Sequence, residues 1–149
     1  MGKIGIGVIG GGYMGKAHSV AFAAVASVFD TALRPELVSI CASSPDSAER
    51  YRKAYGFEKA THDWRELVAD PAVEAVVIAS PQATHHDIAI AAFAFGKPVV
   101  FDKPLVVSLA PRRASVDGAA AAPLVNTGGL TFIRPPASQP IRTLASQGR

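Results

Sequence analysis

The residues with the clearest chemical meaning are the glycines that follow the first apolar segment. Gly10, Gly12 and Gly15 fit the pattern G-x-G-x-x-G. The pattern comes directly after a strand-like segment (residues 3–9) and opens a helix-like one, and this context gives it weight. Gly10 would make a tight turn, Gly12 would let a pyrophosphate approach the backbone, and Gly15 would let the helix pack closely. The free amides at the helix start would bind the phosphate charge. No Gly-Lys-Ser/Thr follows, which excludes a P-loop.

A second feature of such a site is an acid at the end of the second strand, where it holds the ribose hydroxyls of NAD. That strand is predicted to end at Cys41, and small hydroxyl residues, Ser43 and Ser44, stand where the acid is expected. They leave space and donors for a 2′-phosphate, so the sequence favours NADP over NAD. The missing acid also disfavours an S-adenosylmethionine-dependent methyltransferase. A nearby cation would strengthen the case for NADP, and the candidates, which could equally form a solvated helix face, are Arg50, Arg52 and Lys53.

Strand-like and helix-like segments alternate along the chain, and the strands are apolar throughout. This pattern predicts an α/β fold with a doubly wound parallel sheet, a Rossmann fold, over residues 1–125. The first helix is predicted over residues 13–29, with an apolar stripe, and Arg34-Pro35 is expected to delay the second strand until residue 37. The predicted strands are 3–9, 37–41, a stretch near 60, 75–79, 99–101 and 124–126; the later helices are about 45–55, 64–69 and 87–95.

Composition excludes several other classes of protein. The 149 residues are 49% hydrophobic and 18% charged, which is enough apolar material for one folded domain. The net charge of +3 is small and scattered, so nucleic acid is not an expected partner. One cysteine excludes an internal disulfide and a cysteine-based zinc site, and no metal site is expected. No apolar run is long enough for a bilayer, and no secretory signal is evident, so a cytoplasmic protein without membrane contact is expected.

Three later segments complete a recognisable pattern. Ser80-Pro81-Gln82-Ala83-Thr84-His85 follows the fourth strand, Asp102-Lys103-Pro104-Leu105 follows the fifth, and Gly128-Gly129-Leu130-Thr131-Phe132-Ile133-Arg134-Pro135-Pro136 follows the last. Together with the start IGIGVIGGGYMGKAH, they resemble the N-terminal half of the glucose–fructose oxidoreductase, inositol dehydrogenase and rhizopine-catabolism oxidoreductase family. The resemblance runs from about residue 3 to residue 149. The family's usual tripeptide is Glu-Lys-Pro, and here Asp102 replaces the glutamate.

The resemblance implies a role for individual residues. Lys103 resembles the catalytic lysine between nicotinamide and substrate, where it would help to move the proton of a hydroxyl. The amides of Tyr13 and Met14 would meet the pyrophosphate. His85 would contact the cofactor or cap the following helix. The other residues that the resemblance places along the cofactor are Ser80, Pro81, Gln82, Asp102 and Lys103 itself.

The resemblance also implies a second domain that holds the sugar or polyol substrate and forms the subunit interface. Residues 126–149 are predicted to be only the start of that domain. Two functions therefore stay open: the cofactor half of an NAD(P)-dependent sugar or polyol dehydrogenase, or a non-catalytic nucleotide-binding or structural module that retains the fold. Apolar residues between 130 and 144 would lie uncovered, so self-association through this end is expected.

Overall fold

The computed structural model describes residues 2–102 and, as backbone only, residues 127–128. Six parallel strands form one sheet in the order β3-β2-β1-β4-β5-β6. The order reverses direction beside β1, as the predicted doubly wound sheet requires. The elements are β1 (Gly2–Ile9), α1 (Tyr13–Val28), β2 (Leu33–Cys41), α2 (Pro45–Tyr55), β3 (Lys59–Thr61), α3 (Trp64–Ala69), β4 (Ala75–Ile78), a 3₁₀ turn (Gln82–Thr84), α4 (His85–Ala94), β5 (Val99–Phe101) and β6 (Thr127–Gly128).

Two apolar clusters cover the two faces of the sheet. Val76 and Ile78 of β4 belong to the cluster that includes Ile88 of α4, whereas Val77 between them belongs to the other cluster, with Phe22 of α1 packed against it. Neighbouring residues of a strand point to opposite faces, so a strand that is apolar at every position is buried on both sides. This is the arrangement that the continuous apolar strands predicted.

Local signals define the shorter helices. The Ser44 side chain accepts a hydrogen bond from the Ser47 amide at 3.2 Å and caps α2, and Pro45 occupies the first helical position. At its other end α2 stops at Gly56, whose φ of 82° is the left-handed conformation that glycine adopts readily. Asp63 caps α3 by accepting from the Arg65 amide at 2.9 Å. The predicted helix start near residue 44 and the predicted stop at Gly56 are confirmed.

The predicted start of the second strand is wrong. β2 begins at Leu33 and continues through Pro35, which pairs with Ile4 of β1. Pro35 is tolerated because β3 pairs only with residues 39–41 of β2, so the other edge of β2 is open at Pro35. The carbonyl of Leu37, two residues further on, accepts from Glu58 on the β3 side at 3.1 Å, which indicates that the Pro35 nitrogen faces the same open side.

The apolar stripe predicted for α1 is not the buried face. Gly15 and Ser19 are the buried residues of this helix, and Val20 is 58% exposed. Small residues face the sheet because α1 approaches it closely at its start. At the far end of the sheet, Thr127–Gly128 pairs with β5 and so extends the sheet past the predicted domain boundary at residue 125. The predicted strand at 124–126 lies outside the described residues.

Candidate functional site

A cleft of about 620 Å³ opens at the carboxyl ends of the strands, on both sides of the point where the strand order reverses. Ligands of doubly wound sheets bind at this place. The loops after β1, β2, β4 and β5 all contribute to it. The predicted site residues that line the cleft are Gly10, Gly12, Tyr13, Met14, Ser43, Ser80, Pro81 and Asp102.

The glycine turn has the geometry that its motif predicts. Gly10 has a φ of 103°, and a β-carbon there would lie 2.4 Å from the carbonyl oxygen of Ala79. A β-carbon on Gly15 would lie 1.8 Å from the carbonyl oxygen of Gly10, so α1 could not approach the turn with any other residue. Gly12, by contrast, faces open space, since no atom beyond its own chain neighbours and the adjoining helix backbone lies within 4 Å of the position of its β-carbon. Of the three glycines that the motif specifies, two are therefore required by packing and one leaves room for a ligand.

Gly11, which the sequence motif leaves unspecified, contacts two tyrosines of α2. A β-carbon on Gly11 would lie 2.1 Å from Cδ2 of Tyr51, whose ring also lines the cleft. The hydroxyl of Tyr55 donates a hydrogen bond to the Gly11 carbonyl at 2.9 Å. Both tyrosines were missed as site residues by sequence reasoning, because they lie about 40 positions along the chain from the turn.

The residues predicted as site residues near the end of β2 do not all face the cleft. Ala42 and Ser43 line the cleft, whereas Ser44 turns its hydroxyl to the start of α2. Arg52 binds Glu49 through two hydrogen bonds of 2.7 and 2.8 Å, and Lys53 lies 3.4 Å from the same carboxylate. The hydrogen bond from Arg52, reinforced by Lys53, lowers the pKa of Glu49 to about 2.

Arg50 is the remaining candidate cation. Its guanidinium lies 5.1 Å from the centre of the Tyr51 ring, which places it beside a wall of the cleft. Of the three predicted cations, Arg50 is therefore the one that the structure brings next to the site.

Hydrogen bonds between its own residues hold the loop after β4 in place. The Ser80 and Thr84 hydroxyls are 2.7 Å apart, and the Thr84 hydroxyl also donates to the Pro81 carbonyl. His85 is 1% exposed and does not line the cleft; its Nε2 lies 2.7 Å from the Ser80 carbonyl oxygen. This places His85 beneath the loop, where it holds Ser80. Gln82 is exposed in the 3₁₀ turn and is not part of the cleft wall.

Asp102 follows β5 directly, and its amide donates to the Ile78 carbonyl at 3.0 Å, which fixes it at the edge of the cleft. His18 of α1 is electrostatically coupled to it: burial lowers the pKa of His18, and the Asp102 carboxylate partly opposes that effect. The Nε2 atom of His18 is buried and has no hydrogen-bond partner among the described residues. Lys103, the predicted catalytic residue, lies outside the described residues.

The wall of the cleft beyond the end of β2 contains residues that the sequence did not indicate. His62 and Trp64 line the cleft, and the Arg65 guanidinium lies 4.3 Å from the centre of the Trp64 ring. Cys41 lines it as well, and burial raises the pKa of its thiol to about 11. Residues 2–102 contain no group of histidine, cysteine and acidic side chains that could hold a metal ion. Among the helices described above, none is long and apolar enough to cross a membrane.

Comparison with known proteins agrees with this geometry. Residues 4–126 match the sequence profile of a family described as an oxidoreductase family with an NAD-binding Rossmann fold. The chain belongs to this oxidoreductase family. One curated member, levoglucosan dehydrogenase of Pseudarthrobacter phenanthrenivorans, is 37% identical over 138 residues, which are 92% of this chain and 35% of that protein.

Solved structures of family members superpose on the chain closely. An NAD-binding oxidoreductase from Klebsiella pneumoniae matches with a TM-score of 0.91 and 36% identity over 98% of this chain and 39% of that one. A levoglucosan dehydrogenase in complex with NADH and levoglucosan matches with a TM-score of 0.92 and 35% identity over 98% of this chain and 40% of that one. The chain thus spans about two fifths or less of the length of the family members it matches.

Proposed function

We propose that the chain provides the cofactor-binding half of an NAD(P)-dependent oxidoreductase that acts on the CH–OH group of a sugar or polyol. The observation that carries the proposal is the open space beside Gly12, at the start of the 16-residue helix α1 and within the cleft. The first amides of a helix have no partner inside the helix, and its positive end attracts anions. A pyrophosphate fits this space, and family members form complexes with NADH.

Each part of the cleft suits one part of a dinucleotide. The amides of Gly12, Tyr13 and Met14 would hold the pyrophosphate. Ala42 and Ser43 would lie along the adenosine ribose, and Ser80 and Pro81 along the nicotinamide side. When bound, the nicotinamide ring accepts or donates the hydride. The protein's part is to hold that ring at the carboxyl ends of β4 and β5, where Asp102 stands.

Lys103 is the residue that we propose to move the substrate's proton. It follows Asp102, a residue of the cleft wall, directly in sequence. An ammonium group there can polarise a substrate oxygen and take or return its proton as the CH–OH group is oxidised or reformed. His85 has no such role in this proposal; it orients Ser80 from below.

The choice between the two cofactors is a finer part of the proposal. The NADH complexes of family members support NAD, and we propose that NADP is accepted as well. The residues directly after β2, 42–45, include no carboxylate that would repel a 2′-phosphate, and Arg50 lies beside the Tyr51 wall.

We further propose that residues 1–125, extended by the strand β6, form the cofactor domain, and that the rest of residues 126–149 is the start of a substrate domain. By itself the 149-residue chain would then bind the cofactor weakly and turn over no sugar or polyol at a useful rate, since a substrate must be held about 3–3.5 Å from the nicotinamide. Self-association through residues 130–144 stays a prediction of the same kind.

Titration of the purified chain with NADH and NADPH, followed by nicotinamide fluorescence, tests the proposal. Gly12→Val is the informative variant, because the position of its β-carbon lies in open space within the cleft, where the added methyl groups would occupy the ligand space. We expect it to fold normally and to lose binding of both cofactors. Ala26→Val, on an exposed position of α1, is the matched control. No binding by the unmodified chain, or equal binding by Gly12→Val, would contradict the proposed site.

A further inference from the structure

We propose that Tyr55 is a positioning residue for the cofactor's pyrophosphate. By holding the Gly11 carbonyl, its hydroxyl sets the plane of the Gly11–Gly12 peptide and turns the Gly12 N–H toward the ligand. The proposal rests on the cofactor binding proposed above and adds a residue outside the glycine motif to the site.

The geometry of one peptide carries the argument. The Tyr55 hydroxyl donates to the Gly11 carbonyl oxygen at 2.9 Å. In a planar trans peptide the carbonyl and the next N–H point in opposite directions, so the Gly12 N–H points away from Tyr55. Gly12 lines the cleft, and its N–H donates no hydrogen bond to any of the described residues. An amide that has no partner and borders open space can donate a hydrogen bond to a ligand.

Tyr51 restricts the same peptide from a second direction. Its ring lies against Gly11, and the Tyr51 and Tyr55 rings stack with their centres 5.5 Å apart and an angle of 22° between their planes. The Tyr51 ring fills the space beside the α-carbon of Gly11, so the peptide is bounded on this side as well. Burial raises the pKa of Tyr55, so its hydroxyl keeps its proton and remains a donor at neutral pH.

The Tyr55 hydrogen bond would affect the affinity for the cofactor more than the stability of the fold. Three consecutive glycines would otherwise sample many backbone conformations, and ordering them on binding would weaken the complex. A loop that is already fixed in the binding conformation avoids that loss. Tyr55 would therefore strengthen binding of ligands that contain a pyrophosphate and leave binding of adenosine alone unchanged.

The test compares ADP-ribose with adenosine by calorimetry on the 149-residue chain. Tyr55→Phe keeps the stacked ring and removes only the donor. We expect it to bind ADP-ribose about three- to tenfold more weakly, the effect of one neutral hydrogen bond, with adenosine affinity unchanged. Thr31→Val is the matched control, because it also removes a hydroxyl-to-carbonyl bond (2.7 Å to Leu33) but at the turn between α1 and β2.

A second measurement does not depend on the variant's folding. Addition of ADP-ribose to the unmodified chain should shift the NMR resonance of the Gly12 amide strongly. A bound ligand that leaves this resonance unmoved would overturn the inference, as would equal ADP-ribose affinity in Tyr55→Phe or a loss shared equally by adenosine. Failure of the unmodified chain to bind ADP-ribose would instead refute the proposed function itself.

Discussion

Cδ2 of Tyr51 lies 2.1 Å from the place where a β-carbon on Gly11 would stand. The second glycine of the turn is thus required by a side chain of α2, about 40 residues away. The contact ties the conformation of the turn to the position of α2, so neither element can shift without the other.

This contact predicts that substitutions at Gly11 and Tyr51 have non-additive effects on the free energy of unfolding. Gly11→Ala should destabilise the fold by about 1–3 kcal/mol, because the new methyl group overlaps the ring. Adding Tyr51→Ala removes the overlap, so the double variant should be more stable than the sum of the two single changes predicts. Urea unfolding of all four proteins measures the coupling energy, and strictly additive effects would contradict the contact.

Ala42→Asp should shift the cofactor preference toward NADH. Ala42 lines the cleft at the end of β2, and a carboxylate there would repel a 2′-phosphate and accept hydrogen bonds from ribose hydroxyls. We expect the ratio of NADPH to NADH affinity to fall about tenfold, as fluorescence titration would measure. Ala54→Asp, an exposed substitution on α2, is the control for added charge. An unchanged ratio in Ala42→Asp would mean that this loop does not meet the ribose.

Cys41 should make the fold sensitive to alkaline pH. Burial raises the pKa of its thiol from 9.0 to about 11, so between these values the folded protein keeps a proton that the unfolded chain has lost. The contribution of the Cys41 thiol to the free energy of unfolding is therefore complete below pH 9 and is lost as the pH rises to 11. The unmodified chain should lose about 2 kcal/mol more than Cys41→Ala over this range. Urea unfolding at several pH values tests this, and parallel curves would refute it.

Lys97 should contribute to stability although it is a lysine. It is 7% exposed, and its Nζ donates to the carbonyl of Asp70 at 2.6 Å, at the end of α3. Lys97→Met keeps the length of the side chain but removes the donor to that carbonyl. We therefore expect the free energy of unfolding, measured by thermal or urea unfolding, to fall by about 1–3 kcal/mol. Lys53→Met, whose side chain is 70% exposed, should change stability by less than about 0.5 kcal/mol. Equal effects would contradict a structural role for Lys97.

The elements that the sequence predicted well are those with local signals. Pro45 and Gly56 bound α2 because capping and backbone conformation depend only on neighbouring residues. The start of β2 was mispredicted because the tolerance of Pro35 depends on how short β3 is, which a local pattern does not contain. The buried face of α1 was mispredicted because close approach to Gly10 favours Gly15 and Ser19 over larger apolar residues.

The residues of the candidate site also fall into those that a local pattern predicts and those that depend on the whole fold. The glycine turn was predictable because its motif encodes a backbone shape. Tyr51, Tyr55 and Trp64 were not, because they reach the cleft through the fold of the whole sheet. For His85 the sequence left two roles open, contact with the cofactor and capping of the following helix. In the structure its Nε2 atom lies 2.7 Å from the Ser80 carbonyl oxygen, a contact that no sequence motif indicates.

Pro35 has a consequence for the behaviour of the chain in a crowded solution. Among the strands that the structure describes, none pairs with the first half of β2 on its outer side. An open strand edge is a template on which another chain can add a strand and begin an amyloid-like stack. At this edge Pro35 offers an incoming strand no N–H, and the neighbouring Glu36, paired with Lys3 at 2.6 Å, adds charge beside it. The residue that interrupts the sequence pattern thereby protects the protein from intermolecular β-pairing.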